Sequence, residues 1–329
     1  MREPSQRDTA RHFRVRAPGV GEIVTAPLPP RQEGDVLVRA RFSGVSRGTE
    51  SLVFRGGVPA SQYEAMRAPF QEGDFPGPVK YGYASVGEVL EGPPDLAGRD
   101  VFCLYPHQDR YVVPAGAVTP LPPGLPPERA VLAANMETAV NAVWDAAPGP
   151  GDRILVVGAG VVGSLTAYLC GRVPGTDVTL VDVDAGRAPV AERLGVGFST
   201  EQPGGAEADL VIHASGSPEA LGAALSAAGP ESTVLELSWF GDRAVPLPLG
   251  EDFHAKRLTI RSSQVGRIPP GRAPRWTHAR RMMLALDLLR DPALDALLSG
   301  ESDFDELPET MQRLVNAPAG VLCHRIRYA

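Results

Sequence analysis

Residues 154–163 read ILVVGAGVVG: an apolar run of strand type, then Gly158, Gly160 and Gly163 in G-x-G-x-x-G spacing, followed by the helix-forming run SLTAYLC. This order of elements restricts the fold. The first glycine permits a tight turn, the second lets a pyrophosphate approach the backbone, and the third lets the helix pack closely on its strand. The helix N-terminus, at Val161 and Val162, offers free N–H groups and a partial positive charge to phosphate. A second apolar run, Val178 to Val181, ends in Asp182, about twenty residues beyond the glycines, as a dinucleotide-binding βαβ unit requires. A carboxylate there accepts hydrogen bonds from the adenosine ribose hydroxyls and repels a 2′-phosphate, which favours NAD over NADP. The competing explanation is a glycine turn in an unrelated α/β protein.

From Arg153 onward strand and helix alternate: strands at ILVVG, DVTLVD, DLVIHAS, STVLELS and RLTIRSS are separated by helical stretches such as GRAPVAERLG and PEALGAALSAAG. That grammar predicts a parallel, doubly wound sheet. Before about Gly116 the strands are short and broken by Gly and Pro (DVLVRARFSGV, SVGEVLEG, DVFCLY, DRYVVPA), which suggests an antiparallel, barrel-like domain. The helix WTHARRMMLALDLLRD places Met282, Leu286 and Leu289 on one face, a core stripe. The opening MREPSQRDTARHF is expected to be a frayed tail and carries no signal-peptide pattern.

A chain of 329 residues suits two domains. Its formal charge of −7 argues against nucleic acid or anionic membrane as partner, and no apolar stretch approaches membrane-spanning length. The three cysteines, Cys103, Cys170 and Cys323, are odd in number and far apart, so a cytoplasmic setting is expected. Only Lys80 and Lys256 are lysines among 32 basic residues, which draws attention to Lys80.

SGVSRGTE (Ser43 to Glu50), YGYASVGEV (Tyr81 to Val89), GAGVVG, VDVDAGR and DLVIHASGSPEAL together resemble the medium-chain dehydrogenase/reductase superfamily. The GVSRGTE loop resembles the branch containing bacteriochlorophyllide hydroxyethyl dehydrogenase. The resemblance implies a GroES-like β-barrel catalytic domain at 1–137 and 276–329, with an NAD-binding Rossmann domain at 138–275. It implies that Ala214, Ser215 and Gly216 border the cofactor and that Arg187 holds the adenosine ribose. It also implies a homodimer paired through the RLTIRSS strand. The zinc ligand positions of the superfamily hold Ser46 or Arg47, Tyr83, Ala84 and Ala134, and zinc needs about three protein N, S or O ligands. No zinc is expected, either there or in the lobe where CLYPHQDRY replaces four cysteines.

Without a metal, another group must polarise the substrate oxygen. Tyr83 is the first candidate, and Lys80, three residues earlier, could depress its pKa; alternatively Tyr83 fills the volume left by zinc and Lys80 is a solvated strand-end residue. Thr49 stands where the superfamily has a proton-relaying hydroxyl, or else closes the loop. Glu50 and Glu137 could act as base if buried, or pair with Arg47. Ser46, Arg47, Glu50, Trp239 and Ser263 are the expected substrate-side residues, with Ser262 and Gln264 beside the last. The resulting expectation is a zinc-independent NAD(H) oxidoreductase that interconverts a secondary alcohol and a carbonyl on a polar small molecule. The alternatives are an NADPH-type enone or quinone reductase, and a nucleotide-binding protein without catalysis. Asp182 predicts that fluorescence titration will show NADH binding tighter than NADPH by about tenfold or more, the ratio that about 1.4 kcal/mol supplies; equal affinities would overturn that role.

Overall fold

The computed structural model describes residues 9–202, 207–316 and 320–329. The chain forms two compact units: residues to Ala134 with Leu286–Arg290 and Leu298–Ala329, and Asn135–Ala285 with Asp291–Leu297. Sequence placed the return to the first unit at 276. The structure moves it to Leu286, because Arg281 is buried in the second unit and bonded to Glu137, Asn141 and the Val265 carbonyl.

In the first unit the strands are β1 Thr9–Ala17, β2 Val20–Pro27, β3 Asp35–Val45, β4 Glu72–Gly73, β5 Val79–Lys80, β6 Ser85–Glu91, β7 Asp100–Cys103, β8 Arg110–Pro114 and β9 Val118–Pro120. One sheet runs β2-β1-β5-β4. Val36, Val38 and Ala40 of β3 are buried at every second position while Arg39 and Arg41 are exposed, the pattern of a sheet with one face on the core. The short helix α1, Arg47–Phe54, follows β3 directly. The expected N-terminal tail is corrected from Thr9 onward: TARHFRVRA pairs with β2, and Phe13 and Val15 are buried. Its four interleaved charged and His positions disguise the alternation.

The second unit holds the helix α2, Ala133–Ala146, from Asn135 onward. Its strands are β10 Arg153–Val157, β11 Asp177–Val181, β12 Gly197–Ser199, β13 Ala208–His213, β14 Ala228–Glu236 and β15 Thr259–Ser262. The helix α3, Val161–Cys170, connects β10 to β11. All five pairings are parallel, in the order β12-β11-β10-β13-β14-β15. Apolar clusters that include Leu180, Ile212 and Leu235, and Val157, Val211 and Val234, cover the two faces, as parallel sheets require. The strand β12 escaped sequence reading because Gly-Phe-Ser has no apolar run. The remaining strands, β16 Leu298–Asp303 and β17 Cys323–Arg327, pair with each other in parallel and join β3 of the first unit, in a sheet ordered β16-β17-β3-β6-β7-β9 with β8 also on β3.

Removing Arg281 would leave the Glu137 carboxylate buried without its cation. Arg281→Ala is therefore predicted to destabilise the chain by about 3–5 kcal/mol, whereas Glu137→Leu with Arg281→Met recovers most of the loss. Urea denaturation of the three proteins measures this.

Candidate active site

The turn after β10 is built by its own crowding. Gly158 has φ +107°, and a Cβ there would lie 2.6 Å from the Ser215 nitrogen; a Cβ on Gly163 would lie 1.9 Å from the Gly158 carbonyl oxygen. Both glycines are thus required by neighbouring backbone. Gly160 differs, since a Cβ there would meet nothing within 4 Å. It caps α3 without a side-chain hydrogen bond, and Val161 and Val162 are only partly buried. The head of the helix thus has open space beside Gly160, and the free N–H groups of a helix N-terminus are the kind of site that receives phosphate.

Asp182, just after β11, accepts the Ala159 N–H at 2.8 Å and the Asp184 N–H at 2.9 Å, which holds its half-buried carboxylate beside the turn. Arg187 is buried and ion-paired to Asp184 at 3.4 Å. The donor and acceptor set fits a dinucleotide laid across the ends of the parallel strands.

Ala214, Ser215 and Gly216 follow β13, with the Ala214 N–H donated to the Val157 carbonyl at 2.8 Å. Two residues that sequence reading missed stand behind them. His213 is fully buried, with Nε2 2.6 Å from Ser215 Oγ and Nδ1 2.7 Å from the Glu236 carboxylate. The signal was present: a polar residue ends each of two apolar strands, and the pair is in register. Trp239 is half-buried in the loop after β14. Ser263, expected on the substrate side, donates its hydroxyl to Asp145 at 2.7 Å and accepts from Asn141 at 3.3 Å.

In the first unit, Ser46 caps α1 and gives its N–H to Glu50 Oε1 at 2.7 Å. Glu50 is buried and bonded through Oε2 to His107 Nε2 at 2.8 Å; His107 Nδ1 lies 2.6 Å from Ser43 Oγ, which is 2.9 Å from the Tyr328 hydroxyl. The Tyr83 hydroxyl bonds the side chains of Ser46 and Thr49. Burial, reinforced by the Glu50 charge, pushes the Tyr83 phenol up to about 12. Arg47 opens the same helix.

Two acid/base expectations are corrected. Lys80 does not tune Tyr83: it is buried against Glu72, Gln108 Oε1 at 2.8 Å and the Tyr105 hydroxyl at 3.4 Å. The charge that acts on Tyr83 is that of Glu50, so the spacing of Lys80 and Tyr83 in sequence does not couple them. Glu137 is ion-paired with Arg281 at 3.0 Å in the second unit, although burial still raises its pKa.

Among the described residues no group of three His, Cys, Asp or Glu side chains is arranged to hold a metal, and each of the three cysteines is buried and free. No described helix is long and apolar enough to cross a membrane.

No family model matches the chain. It is 25% identical to D-guloside 3-dehydrogenase of Escherichia coli K12 over 92% of both chains. It is 32% identical to 2-desacetyl-2-hydroxyethyl bacteriochlorophyllide A dehydrogenase of Rhodobacter capsulatus over 41% of this chain and 44% of that one. In fold it resembles an alcohol dehydrogenase of E. coli CFT073 solved with NADH, at 16% identity and a TM-score of 0.76, covering 97% of this chain and 99% of that one; another solved neighbour carries NADP.

Because the folded Tyr83 titrates near 12 against an ordinary value of 10, its contribution to stability is full below pH 10 and is lost as pH rises from 10 to 12. Tyr83→Phe is predicted to flatten the fall of the urea midpoint over that interval relative to the parent chain.

Proposed function

We propose a specific reaction for this chain, which is an NAD(P)-dependent oxidoreductase whose relatives and structural neighbours are medium-chain dehydrogenase/reductases acting on alcohols and polyols. It interconverts a secondary alcohol and a carbonyl on a polyhydroxylated small molecule, uses NAD(H), and requires no zinc. The observation that carries the reading is the Tyr83 hydroxyl bonded to Ser46 and Thr49 beside buried Glu50. A bound nicotinamide supplies or removes the hydride.

The proton chemistry belongs to the first unit. With its pKa raised to about 12, Tyr83 stays protonated at neutral pH, so it acts as a hydrogen-bond donor to a carbonyl oxygen rather than as a base. The hydroxyls of Ser46 and Thr49 share its proton network, and Glu50 holds negative charge close to it. Negative charge nearby opposes formation of tyrosinate, so the resting state keeps the proton that carbonyl reduction needs. His107 is anchored by Ser43 on one nitrogen and by Glu50 on the other. It orients the carboxylate and has no contact with substrate in this scheme.

The hydroxyl-rich head of α1, together with the polyol relatives, supports a polyhydroxylated substrate. Lys80 and Glu137 no longer support it, since both are spent on internal partners. NAD is preferred through Asp182. We further infer a cytoplasmic homodimer paired along β15, the terminal strand of its sheet, with no nucleic-acid or membrane partner.

A panel of polyols and ketoses assayed with NAD(H) tests the reading. Tyr83→Phe is expected to lower kcat by about 10²–10⁴-fold with NADH binding unchanged, and activity should survive chelation in a sample without stoichiometric zinc. Zinc-dependent turnover, or full activity in Tyr83→Phe, would overturn it.

A further inference from the structure

The buried pair behind Ser215 does more than fill space. A carboxylate only accepts hydrogen bonds. Glu236 Oε1 takes the Ser238 N–H at 2.5 Å, and Oε2 lies 2.7 Å from His213 Nδ1, so in neutral His213 the ring hydrogen sits on Nδ1. Nε2 is then an acceptor. At 2.6 Å it accepts a hydrogen bond from the Ser215 hydroxyl. The Phe240 ring lies parallel to the imidazole, 6.2 Å away between centroids. Ser215 Oγ also accepts the Ser217 N–H at 3.1 Å, and one lone pair remains. Ser215 is exposed, so that lone pair is available to a ligand.

Position says which ligand group meets it. Ser215 follows β13, on one side of β10; Asp182 follows β11, on the other. Its backbone touches the glycine turn, since a Cβ on Gly158 would lie 2.6 Å from the Ser215 nitrogen. A dinucleotide with its adenosine ribose at Asp182 and its pyrophosphate at the head of α3 extends its other half toward Ser215. A serine locked as an acceptor suits a hydroxyl donor and repels an oxyanion.

Resting on the dinucleotide reading above, we propose that Ser215 orients the coenzyme by accepting a hydrogen bond from a hydroxyl of its nicotinamide half, and that His213 and Glu236 are positioning residues that fix the direction of that bond. The sequence VIHAS, followed by VLELS one strand away, thus encodes a relay that sets hydrogen-bond polarity.

Calorimetric titration with NADH and with AMP separates the possibilities, because AMP lacks the half in question. Ser215→Ala is expected to weaken NADH about five- to tenfold, the worth of one hydrogen bond, and to leave AMP unchanged; Ser215→Thr restores NADH binding. Glu236→Gln should act in the same direction. Its oxygen is held by the Ser238 N–H, so its amide would face Nδ1, move the ring hydrogen to Nε2 and turn the Ser215 hydroxyl proton outward. Asp182→Ala should weaken both ligands. Equal loss of NADH and AMP in Ser215→Ala would mean that the serine only supports the turn, and no loss of NADH would mean that it does not reach the coenzyme; either overturns the proposal. Failure of the parent chain to bind AMP or NADH would instead sink the dinucleotide reading, and this one with it.

Discussion

The contact on which the second unit depends is backbone against backbone: α3 lies so close to the turn after β10 that a single methyl group at Gly163 would overlap the Gly158 carbonyl oxygen, at 1.9 Å. The placing of the helix N-terminus and the approach of Ser215 to Gly158 both follow from that proximity. A helix displaced by one side chain would carry its dipole away from the strand ends and leave the crevice without its positive pole. The two flanking parallel strands bring Asp182 and Ser215 to opposite sides of the turn. Fold and site therefore rest on the same two glycines, whereas at Gly160 a side chain would meet no protein atom within 4 Å.

Both units solve the burial of a histidine in the same chemical way. His107 lies between Glu50 and Ser43, His213 between Glu236 and Ser215. In each, a carboxylate takes one nitrogen and a hydroxyl the other, so neither buried ring is left with an unsatisfied polar atom. The difference is exposure of the hydroxyl. Ser43 is wholly buried and passes its second bond to Tyr328, so that chain ends inside the protein; Ser215 opens to solvent. The same triad is architectural in one place and able to address a ligand in the other.

The parallel sheet was legible because its strands are nearly continuous apolar runs with turn signals between them, and the glycine turn because its spacing is fixed by sterics. β1 was missed because Arg11, His12, Arg14 and Arg16 outweigh Phe13 and Val15 in composition, although the buried positions still lie on the sheet face. Charged residues were the least legible. Sequence offered Arg47 as a partner for Glu50 and Glu137 and none for Lys80, whereas the partners found lie more than seven residues away or on another element: His107, Arg281, and Glu72 with Gln108. Pairing across a sheet or between helices leaves no local spacing to read, and burial of a charge is tolerated only when such a partner exists. His213 and Glu236 were legible in principle, since a polar residue at the same register in adjacent apolar strands needs a partner, and each supplies the other's.

In the proposed scheme a phenol does the work that a metal does in a zinc-dependent dehydrogenase, and that changes what must surround it. A metal brings positive charge and lowers the pKa of an alcohol bound to it; Tyr83 brings no charge, and its site is dominated by burial and by the Glu50 carboxylate, both of which raise its pKa. Such a site cannot stabilise an alkoxide as a cation would. It can hold a proton ready for an oxygen that becomes basic as hydride arrives, which is the demand of carbonyl reduction. In the proposed reaction a Tyr83 that stays protonated at neutral pH therefore suits the proton demand of carbonyl reduction.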